Sequence, residues 1–259
     1  MLKPRIKKIY SYRHTLWDMA VKQLKAKYIG SILGIFWAVI NPLLMMSAIS
    51  FVFTAVFKIQ IKNFPLFALA GIFPWMFFSS ALSEATFSIL GQQSILRQFN
   101  LPREIIPLSS ILANFFNFLI GWIIIYPLFL FFNPKIIVML PLLIIALLLN
   151  FFFVCGLGLL FSVLNVFWRD IGQLLGILLI FWFWVTPIFY SLDMIPLKFR
   201  WVCNFNPLTA YIVYYREVIF TGSPPSLSMF LAIFFWALVS LIIGLSVFSS
   251  LESKLLKEV

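Results

Sequence analysis

Six long apolar stretches divide this chain, at residues 30–57, 64–91, 106–132, 136–167, 171–190 and 227–250. A helix needs about 20 mostly apolar residues to cross about 30 Å of hydrocarbon, so each stretch is long enough for a membrane span. Several are longer than that, which permits tilt or helix ends that project past the bilayer. Pro42, Pro74, Pro127 and Pro141 fall inside these stretches. Each removes a backbone donor and is expected to bend or break its helix, which a membrane bundle tolerates when neighbours satisfy the freed carbonyl. The second and third stretches are separated by a polar island at 95–107, carrying Ile95, Leu96, Arg97, Gln98, Phe99, Asn100, Pro102, Arg103 and Glu104. Leu101 precedes Pro102 and is pushed away from α geometry, so a turn is expected there, with Arg103 and Glu104 opening the next helix.

Ahead of the first stretch, residues 15–28 have a helical rhythm. Trp17, Ala20, Val21, Leu24 and Tyr28 recur at helical spacing, with Lys22, Lys25 and Lys27 on other faces. Thr15 followed by Asp18 resembles a capping box that would start the helix. A helix that is basic on one side and aromatic on the other is expected to lie in the membrane interface. His14 reads as a polar residue at headgroup level. Residues 191–226 hold Pro196, Pro207, Pro224 and Pro225, and their apolar part at 208–220 is too short to span. Short re-entrant or surface helices capping the outer end of the bundle are expected there; an interfacial loop anchored by its aromatic rings is the alternative. Gly30/Gly34 and Gly172/Gly176 have the spacing that permits close helix approach.

Composition fixes the class. Of 259 residues, 63% are hydrophobic and 10% charged, against about 25% charged in a soluble domain. The expectation is an all-α integral membrane protein forming one domain over 1–259: a tail and interfacial helix at 1–29, six transmembrane helices within 30–250, and a tail at 251–259. The net charge of +11 does not point to nucleic acid, because eight of the nineteen basic residues precede the first apolar stretch. With the N-terminus inside, thirteen basic residues lie on the cytoplasmic side and six opposite, which favours cytoplasmic termini and a cytoplasmic island. The basic start lacks a short apolar core and a small-residue cleavage site, so it does not read as a removable signal. Cys155 and Cys203 have no metal spacing and read as unpaired small apolar groups.

Catalytic patterns are missing. The chain has no phosphate-binding Gly-rich loop ending in Lys-Ser/Thr, no metal-ligand spacing and a single His. Glu84 is the one acidic residue inside an apolar stretch, and an ionisable group at that depth is a functional candidate. A structural or lining role is expected for it, since no basic residue is embedded near it in sequence. Aromatic residues make up 19% of the chain, densest at Phe181–Trp184 with Tyr190 following. Ring faces accommodate acyl chains and sugars, while nothing resembles the carbonyl or charge rings of an ion filter. Trp37, Glu84, Phe181, Trp184, Tyr190, Trp201, Tyr211 and Tyr215 are the candidate conduit or gate residues.

Two segments then resemble a family. Gln23, Lys25, Lys27 and Tyr28, leading into Leu33, Gly34, Trp37 and Pro42, look like the opening of ABC-2 type permeases that export polysaccharides. The island, with Phe99, Leu101, Pro102, Arg103, Glu104 and Pro107, is similar to that family's segment between spans two and three, and Pro74 and Trp75 fit its second span. Asn100 and Leu101 depart from the basic residue and Phe common there. The resemblance covers much of the first 110 residues. It implies a homodimer working with two copies of a separate ATPase, which binds the ATP and Mg²⁺ that this chain has no motif for. Residues 95–104 are then an ATPase-coupling segment, and the cargo is a lipid-linked surface polysaccharide such as O-antigen, capsule or teichoic acid. An ABC-2 permease for a drug or small lipid is the alternative; a membrane-embedded glycan-lipid transferase would need convergent acidic or His residues that are not found here.

Overall fold

A computed structural model describes residues 2–58, 61–99 and 101–258, so Asn100 of the island lies outside the described residues. Among these described residues, eleven α-helices run in order: α1 Leu2–Ser11, α2 Arg13–Ala26, α3 Trp37–Phe51, α4 Phe64–Gly91, α5 Gln93–Gln98, α6 Ile105–Phe132, α7 Leu140–Phe167, α8 Asp170–Val185, α9 Arg200–Phe205, α10 Pro207–Arg216 and α11 Leu227–Glu258. No β-strand occurs among the described residues. Among the described residues, five helical segments are long and apolar enough to cross a membrane: Gly34–Val56, Phe64–Gly91, Ile105–Phe132, Pro134–Phe167 and Leu227–Glu252.

The expected fifth span is shorter than its apolar stretch. α8 has 16 residues and stops at Val185, giving about 24 Å of helix. Thr186 is extended and Pro187 follows, and the residue before a proline is disfavoured in α geometry. Aromatic content carried the apolar reading on to Tyr190; backbone geometry ends the helix sooner.

α4 is the central helix. Of its most apolar window 78% is buried, against 22% for the windows in Gly34–Val56 and Leu227–Glu252. Apolar residues around most of its circumference suit a helix largely enclosed by others, with Ser80, Glu84 and Phe87 left exposed along one stripe. Rings interlock around it: Phe77 stacks on Phe118 at 4.7 Å, Phe73 meets Trp122 at 5.2 Å, and Phe78 and Tyr211 flank Phe153. Helices α3, α4 and α6 run unbroken through Pro42, Pro74 and Pro127. Pro141 sits in the first turn of α7, where no donor is needed. The expected breaks are therefore absent, and a short 3-10 turn, Pro134–Met139, precedes α7.

The closest helix approach is α7 against α11. A Cβ at Gly156 would lie 2.2 Å from the Ser240 backbone, and one at Gly244 would lie 2.0 Å from the Gly156 carbonyl oxygen. Backbones meet there because neither residue has a side chain. The two Gly pairs singled out by spacing do not play this part. Gly30 and Gly34 are in left-handed backbone with open space around them, Gly176 also faces open space, and Gly172 meets the Phe87 ring.

At the N-terminus, Tyr12 alone separates α1 from α2, and α2 begins at Arg13 with no side-chain cap. Thr15 and Asp18 are therefore inside the helix and cap nothing, because the preceding chain is itself helical. Residues 251–258 continue α11.

Candidate functional site

The end of α2 packs beside α4 and α6, and polar groups on it turn inward. Lys27 Nζ donates to Glu84 Oε1 and to Asn114 Oδ1, both at 2.7 Å, and Asn114 Nδ2 donates to Glu84 Oε2 at 2.7 Å. The three side chains close a ring. Asn114 also donates to the Ser110 carbonyl, which fixes which way its amide points. One turn along α6, Asn117 accepts a short hydrogen bond from the Tyr28 hydroxyl, and Gln23 donates to Ser109 Oγ at 2.9 Å. Burial raises the Tyr28 pKa, and the Glu84 charge adds to the rise, so the hydroxyl keeps its proton and remains a donor.

Beside this ring opens a cleft of about 330 Å³ lined by Lys27, Tyr28, Trp37, Asn41, Phe77, Ser80, Glu84, Asn114, Asn117 and Phe118. Lys27, Tyr28, Trp37 and Glu84 thus converge on one site, although sequence placed them in two separate groups. Glu84 has a basic partner after all, supplied by a residue 57 positions away. Lys27, the C-cap residue of α2, reaches inward on the side of buried Ala20 and half-buried Gln23 while remaining exposed itself. Trp17 is largely exposed and meets Phe116 edge-on at 4.8 Å. Lys22 and Lys25 are exposed. The cleft's charges cancel within it, so it presents amides, hydroxyls, a carboxylate and ring faces, the surface a polyhydroxylated ring requires.

The island takes a definite form at the same end of the bundle. Gln93–Gln98 is a short helix, Phe99 is extended, and Glu104 is the N-cap residue of α6. Ile95 and Leu96 are half-buried, whereas Arg97, Gln98 and Phe99 are exposed. Pro102 is buried and its carbonyl accepts from Ile105. Glu104 is buried and accepts a short bond from Arg5 Nε, and Arg5 Nη2 also pairs with Glu252. Arg103 Nη1 donates to the Glu252 carbonyl at 2.6 Å.

The remaining candidates separate into two groups. Phe181, Trp184 and Trp201 are 60–66% exposed. Tyr211 and Tyr215 are fully buried: the Tyr211 hydroxyl lies 2.9 Å from the Ile233 carbonyl, and Tyr215 stacks on Trp122. Tyr190 is half-buried, with its hydroxyl near the carbonyls of Trp184 and Val185. α10 is capped by Asn206, whose side chain accepts from Trp182 Nε1 at 2.7 Å and donates to Thr186 Oγ1 at 2.9 Å. It ends at Arg216, which donates to the Pro187, Ile188 and Tyr190 carbonyls with its guanidinium 3.6 Å over the Phe67 ring.

Asn114, Asn117, Arg5, Glu252 and Arg216 escaped the sequence reading. For the two asparagines a signal existed: amides three residues apart inside an apolar stretch share a helix face, and polar groups at that depth seek partners.

Five helices able to cross a membrane, with a polar cleft set into their apolar body, make this a multi-pass membrane protein. It belongs to the ABC-2 type transporter family, whose profile matches residues 15–220. It is 32% identical over 245 residues to the O-antigen export system permease protein RfbA of Klebsiella pneumoniae, covering 92% of this chain and 93% of that protein. It is 27% identical over 254 residues to the protein of the same name from Myxococcus xanthus, covering 95% of each. Against the polysialic acid transport protein KpsM of Escherichia coli it is 24% identical over 259 residues, covering 93% and 95%.

Proposed function

We propose that this chain is the membrane permease of an ATP-driven exporter that moves a lipid-linked surface polysaccharide, such as O-antigen on undecaprenyl diphosphate, from the cytoplasm across the inner membrane. What carries this reading is similarity along nearly the whole chain to permeases named for O-antigen export and polysialic acid transport. Two copies would pair with each other and with two ATPase subunits that bind ATP and Mg²⁺. The ATPase would dock on α5 and the exposed Arg97, Gln98 and Phe99.

Both termini are assigned to the cytoplasm, and α8 is assigned as a crossing, the fifth of six. The chain from α8 into the loop after it runs beside α4: Phe87 lies against Gly172, and Gly71 against Ile188, three residues past the helix end. α10 is read as the outward limb of a re-entrant segment, because it starts at the level of Trp182 and Thr186 and its continuation reaches Phe67 through Phe220. α2 would lie in the inner interface, its exposed Lys22 and Lys25 drawing a diphosphate headgroup. The neutral cleft beside it suits the first sugars, and the exposed rings of Phe181, Trp184 and Trp201 suit a wall between two permeases.

Deleting the gene tests the reading. Polymer on its lipid carrier should accumulate in the cytoplasm while surface glycan disappears; a deletion strain with unchanged surface glycan would remove the polysaccharide assignment.

A further inference from the structure

Three segments far apart in sequence meet at one point on the basic end of the bundle. Arg5 comes from α1, Arg103 and Glu104 from the turn before α6, and Glu252 from the end of α11. Arg5 forks between the two carboxylates, through Nε to Glu104 and through Nη2 to Glu252. Arg103 holds the Glu252 carbonyl at 2.6 Å and lies 3.9 Å from its carboxylate. Two positive and two negative charges balance, and the Glu104 side chain is only 2% exposed.

An apolar contact surface lies directly beneath. The Arg5 guanidinium sits 5.9 Å over Phe248. Phe248 and Leu255 of α11 are buried in a small core with Ile89, Leu159, Val163 and Val166, and Leu96 of α5 packs against it. This core is separate from the main one, so it joins α5 to α11 without passing through the centre of the bundle. From there α11 meets α7 backbone to backbone at Gly156, Ser240 and Gly244. A displacement of the 93–104 segment therefore has two routes into the bundle. One runs directly along α4 and α6, which flank it in sequence. The other runs through Glu252 into the α11–α7 pair.

We propose that Arg5 is a positioning residue: with Glu104 and Glu252 it clasps the 93–104 segment to α11, so that force received there moves the α11–α7 pair as one body with α5. Charged groups suit that task. A fork from one guanidinium to two carboxylates fixes direction as well as distance, and partly buried ion pairs specify an arrangement more than they add stability. The proposal rests on the docking role assigned to the island.

The test uses the permease with its ATPase in lipid nanodiscs. Spin labels on Gln98→Cys and Ser250→Cys, in a chain carrying Cys155→Ala and Cys203→Ala, report the α5–α11 distance with and without bound nucleotide. The distance should stay fixed in the parent chain and change between nucleotide states in Arg5→Met. Arg5→Met and Glu252→Gln should lower export per ATP hydrolysed by about fivefold or more, the range of ordinary coupling free energies. A bismaleimide bridge between Glu104→Cys and Glu252→Cys, placed in the Arg5→Met chain, should restore it. A Gln98–Ser250 distance that already varies in the parent chain, or Arg5→Met exporting with parental economy, overturns the clasp. So does Arg5→Met losing assembly without rescue by the bridge, which would make the residue purely structural. If the complex carries another cargo, the polysaccharide assignment falls while the distance measurement still decides the clasp.

Discussion

The ring of Lys27, Glu84 and Asn114 permits a quantitative test. Lys27→Met removes two of its three bonds and leaves the Glu84 carboxylate with Asn114 alone. Hydrogen bonds to charged groups contribute about 1.5–3 kcal/mol when enclosed, but the side chains are 26% and 43% exposed. Exposed ion pairs contribute about 0.2–1 kcal/mol, so an intermediate loss of about 1–2 kcal/mol is expected. Glu84→Gln keeps the shape but places an amide NH₂ against that of Asn114, so one of the three bonds fails and about 1 kcal/mol is lost. The assay is a double-mutant cycle on thermal unfolding of the purified permease. Lys27→Met and Glu84→Gln together should cost less than their sum by about 1 kcal/mol, beyond the 0.3–0.5 kcal/mol scatter of independent sites. Additive losses would show that the ring does not act as a unit. Export should persist in Glu84→Gln; its complete loss with normal assembly would mean that the carboxylate carries protons rather than lining a cleft.

Two further outcomes follow from the fold. Gly244→Val puts a branched side chain onto the Gly156 carbonyl and should abolish folded yield in membranes, whereas Gly176→Ala, facing open space, should leave it unchanged. A phosphatase reporter that matures only outside the cytoplasm should be silent when fused after Gln98 and active after Ser223; the reverse pattern would invert the assigned topology.

Much of the scaffold was legible because apolar length alone specifies a spanning helix. Five of the six stretches became helices with ends within a few residues of those expected. The exception, α8, ended where Thr186 and Pro187 changed the backbone, a local signal outweighed by the run of rings around it. The site was legible only in parts. Lys27, Tyr28, Trp37 and Glu84 each stood out, but their convergence depends on α2 folding back over α4 and α6, and helical periodicity carries no information about that fold-back. The same limit hid the Gly156–Gly244 contact, whose partners come from different helices, while the visible pairs Gly30/Gly34 and Gly172/Gly176 lie four residues apart. Prolines show a related limit: missing donors are apparent in sequence, but not the packing that lets a helix continue through them.

The short α8 has a consequence for the lipid around it. Its 16 residues give about 24 Å where the hydrocarbon is about 30 Å thick. On the proposed reading that α8 crosses the membrane, lipid meeting it would have to thin, at a fraction of a kcal/mol per Å of mismatch. A hydrophilic chain passing beside α8 would then cross a thinner dielectric barrier than anywhere else on the perimeter. On that reading, the helix that falls short of a full span would be the place where the membrane itself is easiest to cross.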